Sequence, residues 1–268
     1  MPLATVFDVL KSVNLHSLRL LLKDRQLARQ YFSQALRRYY QLMDRGLAIR
    51  HPLHYVNERG WSSLEPTERI ELPVNILTGG GMRLEELAVL ALVTRALRPR
   101  TIFEIGTFMG RTTSVLLLNA HPAATISTLD LPLGADPAAA ETACTIESDR
   151  LLVEQRQVGV HVRELGLDSR CRQIYCDSLQ FDPEPHRNSV ELGLIDGAHT
   201  RRHVENDTRK MAIMLAERGL VFWHDYGGRG SFRGLTEYLE ELSRRISLYR
   251  VINTTLAWAP ASELRKIV

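Results

Sequence analysis

The chain has 268 residues, with 34 Lys and Arg against 31 Asp and Glu, a formal net charge of +3, 44% hydrophobic residues and 24% charged ones. That balance is globular and excludes a disordered or collagen-like chain, and the length gives room for one large domain with an added segment or for two small ones. So small a net charge argues against a nucleic-acid partner, and Cys144, Cys171 and Cys176 contain no Cys-x-x-Cys pair, so they read as reduced thiols rather than as a disulfide framework or a zinc site.

The stretch Met1 to Leu10 lacks a basic segment followed by an apolar one, and no run of about 18 uncharged apolar residues follows it. The expectation is therefore a cytoplasmic protein with no transmembrane anchor. From Leu15 to Ile49, Leu18, Leu21, Leu22, Leu27, Phe32, Leu36, Tyr39, Tyr40 and Met43 recur mostly at three- and four-residue spacing among arginines, which predicts a basic helical segment. Its apolar stripe suits an arm that packs in a homo-oligomer, and its charged side suits solvent. Pro52, Pro66, Pro73 and the triple glycine Gly79 to Gly81 break any helix across the next stretch, so residues 1–78 read as an accessory segment and 79–268 as the main domain.

Leu84, Leu87, Leu90, Leu92, Val93 and Leu97 predict a helix over Arg83 to Leu97, ended by Pro99. Short apolar runs then alternate with helical stretches. The runs are Thr101 to Ile105, Thr125 to Leu129, Arg172 to Cys176, Val190 to Ile195 and Leu220 to Trp223; helices are expected at Thr112 to Asn119, Asp149 to Leu165, Arg201 to Ala216 and Phe232 to Arg245. Gly219 is placed to end the third of these. Strands that are apolar throughout and separated by helices predict a mainly parallel sheet covered on both faces. Leu248 to Trp258 adds a final antiparallel pair. The expected fold is an α/β, doubly wound, Rossmann-like sheet of seven strands.

In such sheets ligands bind outside the carboxyl ends of the strands, and the residues that end these runs are mostly acidic: Glu104 before Gly106, then Asp130, Asp177, Asp196 and His224-Asp225. Gly106 and Gly110 allow a tight turn that a ligand can approach, but Phe108 replaces the second glycine of a dinucleotide fingerprint and no phosphate loop is present. NAD and nucleoside triphosphates are disfavoured. Asp130 lies 24 positions after Gly106, where a carboxylate can accept from both hydroxyls of a ribose, so an adenosine-type ligand is implied.

The run EIGTFMGRTT from Glu104 resembles the cofactor loop of class I S-adenosylmethionine-dependent methyltransferases, especially the catechol and caffeoyl-CoA O-methyltransferases. Leu194 to Tyr226 is similar to the bacterial macrocin O-methyltransferase and cephalosporin-hydroxylase group. The resemblance covers roughly Gly79 to Pro260 and implies that Glu104, Gly106, Thr107, Phe108 and Gly110 form the cofactor loop. It further implies Asp130 at the ribose, Asp177 and Ser178 at the adenine, and Asp196 also at the cofactor.

Asp196, His199, His224 and Asp225 make a second constellation, because a neutral hydroxyl is a poor nucleophile until a base or a metal acts on its proton. The cation-dependent relatives imply a divalent cation, magnesium or manganese, on Asp196, His224 and Asp225. His224 suits magnesium poorly and is equally a candidate general base. His203, one turn beyond His199 among cationic neighbours, reads as solvated. His51, His54, Tyr55 and Trp61 read as packing anchors more than as a pocket wall. The resulting expectation is methyl transfer to a hydroxyl of a small-molecule acceptor, such as a sugar or secondary metabolite. A hydroxylase-like or oxidoreductase relative on the same fold and a non-catalytic binding protein stay open as alternatives.

Overall fold

Strands covered on both sides need mostly apolar residues, and the runs between Thr101 and Trp223 supply them at most positions. In a computed structural model of the protein, which describes residues 46–65, 67–73, 81–132, 157–227 and 232–268, these runs lie side by side as parallel strands. The strands are β1 (Ala48–Ile49), β2 (Thr101–Ile105), β3 (Thr125–Asp130), β4 (Cys171–Tyr175), β5 (Val190–Ile195), β6 (Leu215–Trp223), β7 (Tyr249–Arg250) and β8 (Ala257–Pro260). Their order across the sheet is β1-β7-β8-β6-β5-β2-β3-β4, with β8 antiparallel to both of its neighbours.

The helices are α1 (Pro52–Glu58), α2 (Leu84–Leu97), α3 (Arg111–Asn119), α4 (Val160–Glu164), α5 (Arg201–Met214), α6 (Arg233–Leu242) and α7 (Ala261–Leu264). Alternate strand residues feed two cores. Ile102, Ile126, Leu192, Leu194 and Phe222 pack with Leu87, Leu90, Val115 and Leu116 of α2 and α3. Phe103, Ile105, Ile195, Val221 and Trp223 pack with Val204, Met211, Leu235 and Leu239 of α5 and α6. The doubly wound architecture follows from that alternation. No helix among the described residues is long and apolar enough to cross a membrane.

The structure departs from the sequence reading in four places. The sheet has eight strands among the described residues, because Ala48–Ile49 pairs with Tyr249–Arg250. The Leu47 amide donates to the Tyr226 hydroxyl at 3.0 Å, and the Trp258 indole donates to the Arg50 carbonyl at 2.8 Å, so tertiary contacts far along the chain override helical periodicity there. The compact unit that holds the sheet accordingly starts at Leu47, ahead of the expected boundary between 78 and 79. The expected basic helix otherwise lies outside the described residues, as do Gly79, Gly80, Cys144 and the first part of the helix expected at Asp149 to Leu165.

Gly219 does not end a helix. Helix α5 stops at Met214, and Gly219 lies inside β6 where a Cβ would come within 2.9 Å of the Val190 carbonyl oxygen, beside the register shift between Val190 and Leu192. Finally, His203 is buried rather than solvated. Its Nδ1 lies 2.7 Å from the hydroxyl of Thr200, the residue that caps α5. Tyr55 does anchor packing, edge-on to both Trp61 and Trp258.

Candidate active site

The carboxyl ends of β2 to β6 form one continuous rim, because backbone hydrogen bonds carry the ladder one step beyond the strands. Gly106 N donates to the Leu129 carbonyl, Cys176 N to Asp130, Asp196 N to Ile105 and His224 N to Ile195, at 2.8 to 3.1 Å. Asp130, Asp177, Asp196 and His224 therefore line up along the edge. β2 lies between β3 and β5, and at this reversal of strand order the crevice of an open α/β sheet opens.

The loop after β2 has a single tight conformation. Gly106 has φ +103°, and a Cβ there would lie 2.1 Å from the Asp196 carbonyl oxygen, so only glycine fits. Phe108 has φ 46°, an unfavourable value for a bulky side chain and the kind of strain that collects at functional sites. It is held because its amide donates to Asp130 Oδ2 at 2.8 Å and its carbonyl accepts from Gly159 N at 2.9 Å. The Leu131 amide occupies Asp130 Oδ1, also at 2.8 Å. The carboxylate thus ties the glycine turn to the end of β3, at the position expected to face a ribose.

Glu104 is completely buried. A chain of donors ends on its Oε2: the Gln173 amide donates to Thr107 Oγ1 (2.9 Å), Thr107 Oγ1 lies 2.7 Å from Thr128 Oγ1, and Thr128 Oγ1 donates to Glu104 at 2.7 Å. Thr113 also donates to Oε2. Oε1 has no hydrogen-bond partner among the described residues, and burial pushes the carboxyl up to about 8. An orphaned, buried acceptor beside a glycine turn suits the cationic end of a ligand. Thr107, by contrast, turns its hydroxyl inward to β3 and β4.

Asp177 caps its own turn by accepting from Leu179 N at 2.8 Å. The adjacent turn is tied to α5: the Ser178 carbonyl accepts from Asn206 Nδ2 at 2.9 Å and from Lys210 Nζ at 2.5 Å, and Lys210 Nζ also reaches the Leu179 carbonyl at 3.0 Å. Ser178 and Asn206 side chains donate to Asp207, which burial pushes up to about 7.

Beyond Asp196 the rim carries a dense charge cluster. His224 Nδ1 lies 2.9 Å from Asp196 Oδ1 and 3.2 Å from Asp225 Oδ2, its Nε2 lies 3.2 Å from Glu86 Oε2, and His199 Nε2 lies 3.1 Å from Asp225 Oδ2. Burial by itself would lower the His224 pKa, but Asp196, Asp225 and Glu86 outweigh it and raise it well above the ordinary value. Burial likewise opposes ionisation of Asp225, and His199 and His224 reverse it, holding the carboxyl well below the usual range.

This geometry places His224 at the centre of the cluster. Both of its ring nitrogens face carboxylates, Nδ1 toward Asp196 and Asp225 and Nε2 toward Glu86, so the ring bridges acids instead of standing apart from them. The three side chains whose ligand atoms converge within 4.8 Å are Asp196, His199 and Asp225. Asp225 reaches this position with φ 63°, a left-handed conformation rare outside glycine.

Glu86 of α2 is the residue the sequence reading missed. It is 1% exposed, and His224 and Arg83 outweigh its burial to keep it ionised. A carboxylate in the first turn of an amphipathic helix reads as a helix-start acid, and it plays that part too, accepting from Arg83 N at 2.8 Å.

Residues 103–226 match a family model described as a methyltransferase domain. No curated protein matches the chain. Solved structures with a similar fold include cofactor-bound Rv0187 from MTB (16% identity over 72% of this chain and 84% of that one, TM-score 0.48). A Staphylococcus aureus protein described as a caffeoyl-CoA O-methyltransferase is 12% identical over 87% of this chain and 97% of that one, with a TM-score of 0.48. The O-methyltransferase TomG from Streptomyces achromogenes, involved in tomaymycin synthesis and solved with S-adenosylmethionine, is 16% identical over 66% and 79%, with a TM-score of 0.46.

Proposed function

We propose that this chain is a class I S-adenosylmethionine-dependent methyltransferase and that it methylates a hydroxyl group of a small molecule with the help of a divalent cation on Asp196, His199 and Asp225. The supporting observation is the double role of Asp196. Its backbone carbonyl packs against Gly106 in the cofactor loop, while its carboxylate faces the cluster with His224. One residue thus joins the place of the methyl donor to the place of the proton acceptor.

The residues present fit both groups. For the cofactor, Glu104 Oε1 has no partner among the described residues, the Gly106 turn leaves no room for a side chain, and Asp130 stands at the end of β3 against that turn. The Asp177–Ser178 turn stands next along the rim, where the adenine would lie. For the cation, two carboxylates and an imidazole, those of Asp196, Asp225 and His199, bring ligand atoms within 4.8 Å of one another. That donor set suits manganese, iron or zinc better than magnesium.

When bound, such a cation acidifies and orients an acceptor hydroxyl, and the cofactor supplies an electrophilic methyl. The protein's own part is placement. His224 spans Asp196 and Asp225 and keeps their carboxylates at a fixed separation, and the Phe232 ring, 4.4 Å from that of His199, gives the acceptor an apolar wall. A sugar or other hydroxylated metabolite matches a site with one charged and one apolar side.

Methyl incorporation from radiolabelled S-adenosylmethionine into a panel of hydroxylated small molecules tests this reading. Transfer should be abolished by EDTA, restored better by Mn²⁺ than by Mg²⁺, and reduced at least about 100-fold in His199→Ala. Undiminished transfer by chelator-treated enzyme would contradict the cation assignment.

A further inference from the structure

We infer that Glu86 is a positioning residue for the cation site: it locks the His224 ring by one nitrogen so that the other nitrogen fixes the spacing of Asp196 and Asp225. The inference rests on the cation site proposed above, and it concerns a residue on α2, remote in sequence from the strand ends. The Thr255 and Arg83 groups within reach of the Glu86 carboxylate are all donors, and a His224 ring nitrogen faces it. Oε1 accepts from Thr255 N (2.7 Å), Thr255 Oγ1 (2.9 Å) and the Arg83 guanidinium (2.8 Å), and Oε2 accepts from Arg83 N (2.8 Å) and faces His224 Nε2 at 3.2 Å.

Only a group that accepts at both ends satisfies such a set. A glutamine in its place must turn its NH₂ toward at least one of these donors, so either His224 or the Thr255–Arg83 side loses its bond. The bond to Nε2 stops rotation of the imidazole about its own axis. With that end tethered, Nδ1 stays between Asp196 Oδ1 and Asp225 Oδ2. The left-handed backbone of Asp225 needs this kind of support, since a strained conformation persists only when its surroundings over-determine it. Glu86 also joins α2 and the turn before β8 to the end of β6, so three elements meet in one carboxylate. Groups that orient the ligands of a cation typically alter its affinity by about 10- to 100-fold when removed.

The test is Mn²⁺ titration of the full-length protein, read by the paramagnetic resonance of free Mn²⁺, in wild type, Glu86→Gln, Glu86→Asp and Asp225→Asn. S-adenosylmethionine affinity is measured alongside by calorimetry. Both Glu86 variants should bind Mn²⁺ about tenfold or more weakly while S-adenosylmethionine affinity holds; a merely structural role would move both affinities or neither. Wild-type Mn²⁺ affinity in Glu86→Gln with cofactor binding intact overturns the inference. If wild type and Asp225→Asn hold Mn²⁺ equally weakly, the cation site itself is wrong and the inference falls with it, which is a separate result. Should Glu86→Gln fail to fold, Glu86→Asp decides by the same criteria, because it keeps the charge but withdraws the oxygens.

Discussion

A carboxyl group buried in the protein interior holds its proton to higher pH, and Asp207 is such a group, its burial outweighing the nearby Lys210. Its Oδ2 has no partner among the described residues and burial pushes its pKa up to about 7 from an ordinary 3.8. The folded state therefore binds more protons than the unfolded one between those values, so this contribution to stability is complete below the lower and is lost as pH rises through the higher. Urea unfolding at pH 5 and pH 8 should show wild type losing a few kcal/mol from this group, and Asp207→Asn losing correspondingly less. Equal losses in both proteins would contradict the assignment. At this scale the sequence was informative about position and poor about direction. Strand-end acids were legible because apolar runs stop at them, but which ring nitrogen of His199 or His224 meets which carboxylate depends on the fold. Glu86 was illegible because its partner His224 lies 138 positions away.

Helix α5 does more than cover the sheet. Through Asn206 and Lys210 it holds the carbonyls of Ser178 and Leu179, and so fixes the turn at the end of β4 where adenine is proposed to lie. Lys210→Met keeps the aliphatic stem and removes the donor. Affinity for S-adenosylmethionine and for 5′-methylthioadenosine, measured by calorimetry, should both fall by up to about tenfold while Mn²⁺ binding is unchanged. Unchanged nucleoside affinity would show that the clamp holds nothing the ligand uses. Most elements were legible from periodicity alone, since the central parallel strands are largely apolar on both faces and the covering helices on one. The failures were short or mixed. β1 has two residues, too few for a pattern, and the start of β6 reads as the end of α5 because Leu215 and Ala216 suit a helix as well as a strand.

For the whole molecule, the sheet is what makes the site. Five parallel strands bring residues from Glu104 to Asp225 to one rim, and the segment from Leu47 to Arg50 extends the sheet on its far edge. The fold class was legible because alternation of strands and helices leaves few topologies. The boundary of the sheet-bearing unit was not, because prolines break helices without showing where the chain packs next. The central claim is that this rim binds S-adenosylmethionine. Its most direct test is a calorimetric titration of the full-length protein with S-adenosylmethionine, repeated with Asp130→Ala. Binding at micromolar concentration, weakened at least about tenfold in the variant, is the predicted result. A well-folded wild type that takes up no S-adenosylmethionine would contradict the account.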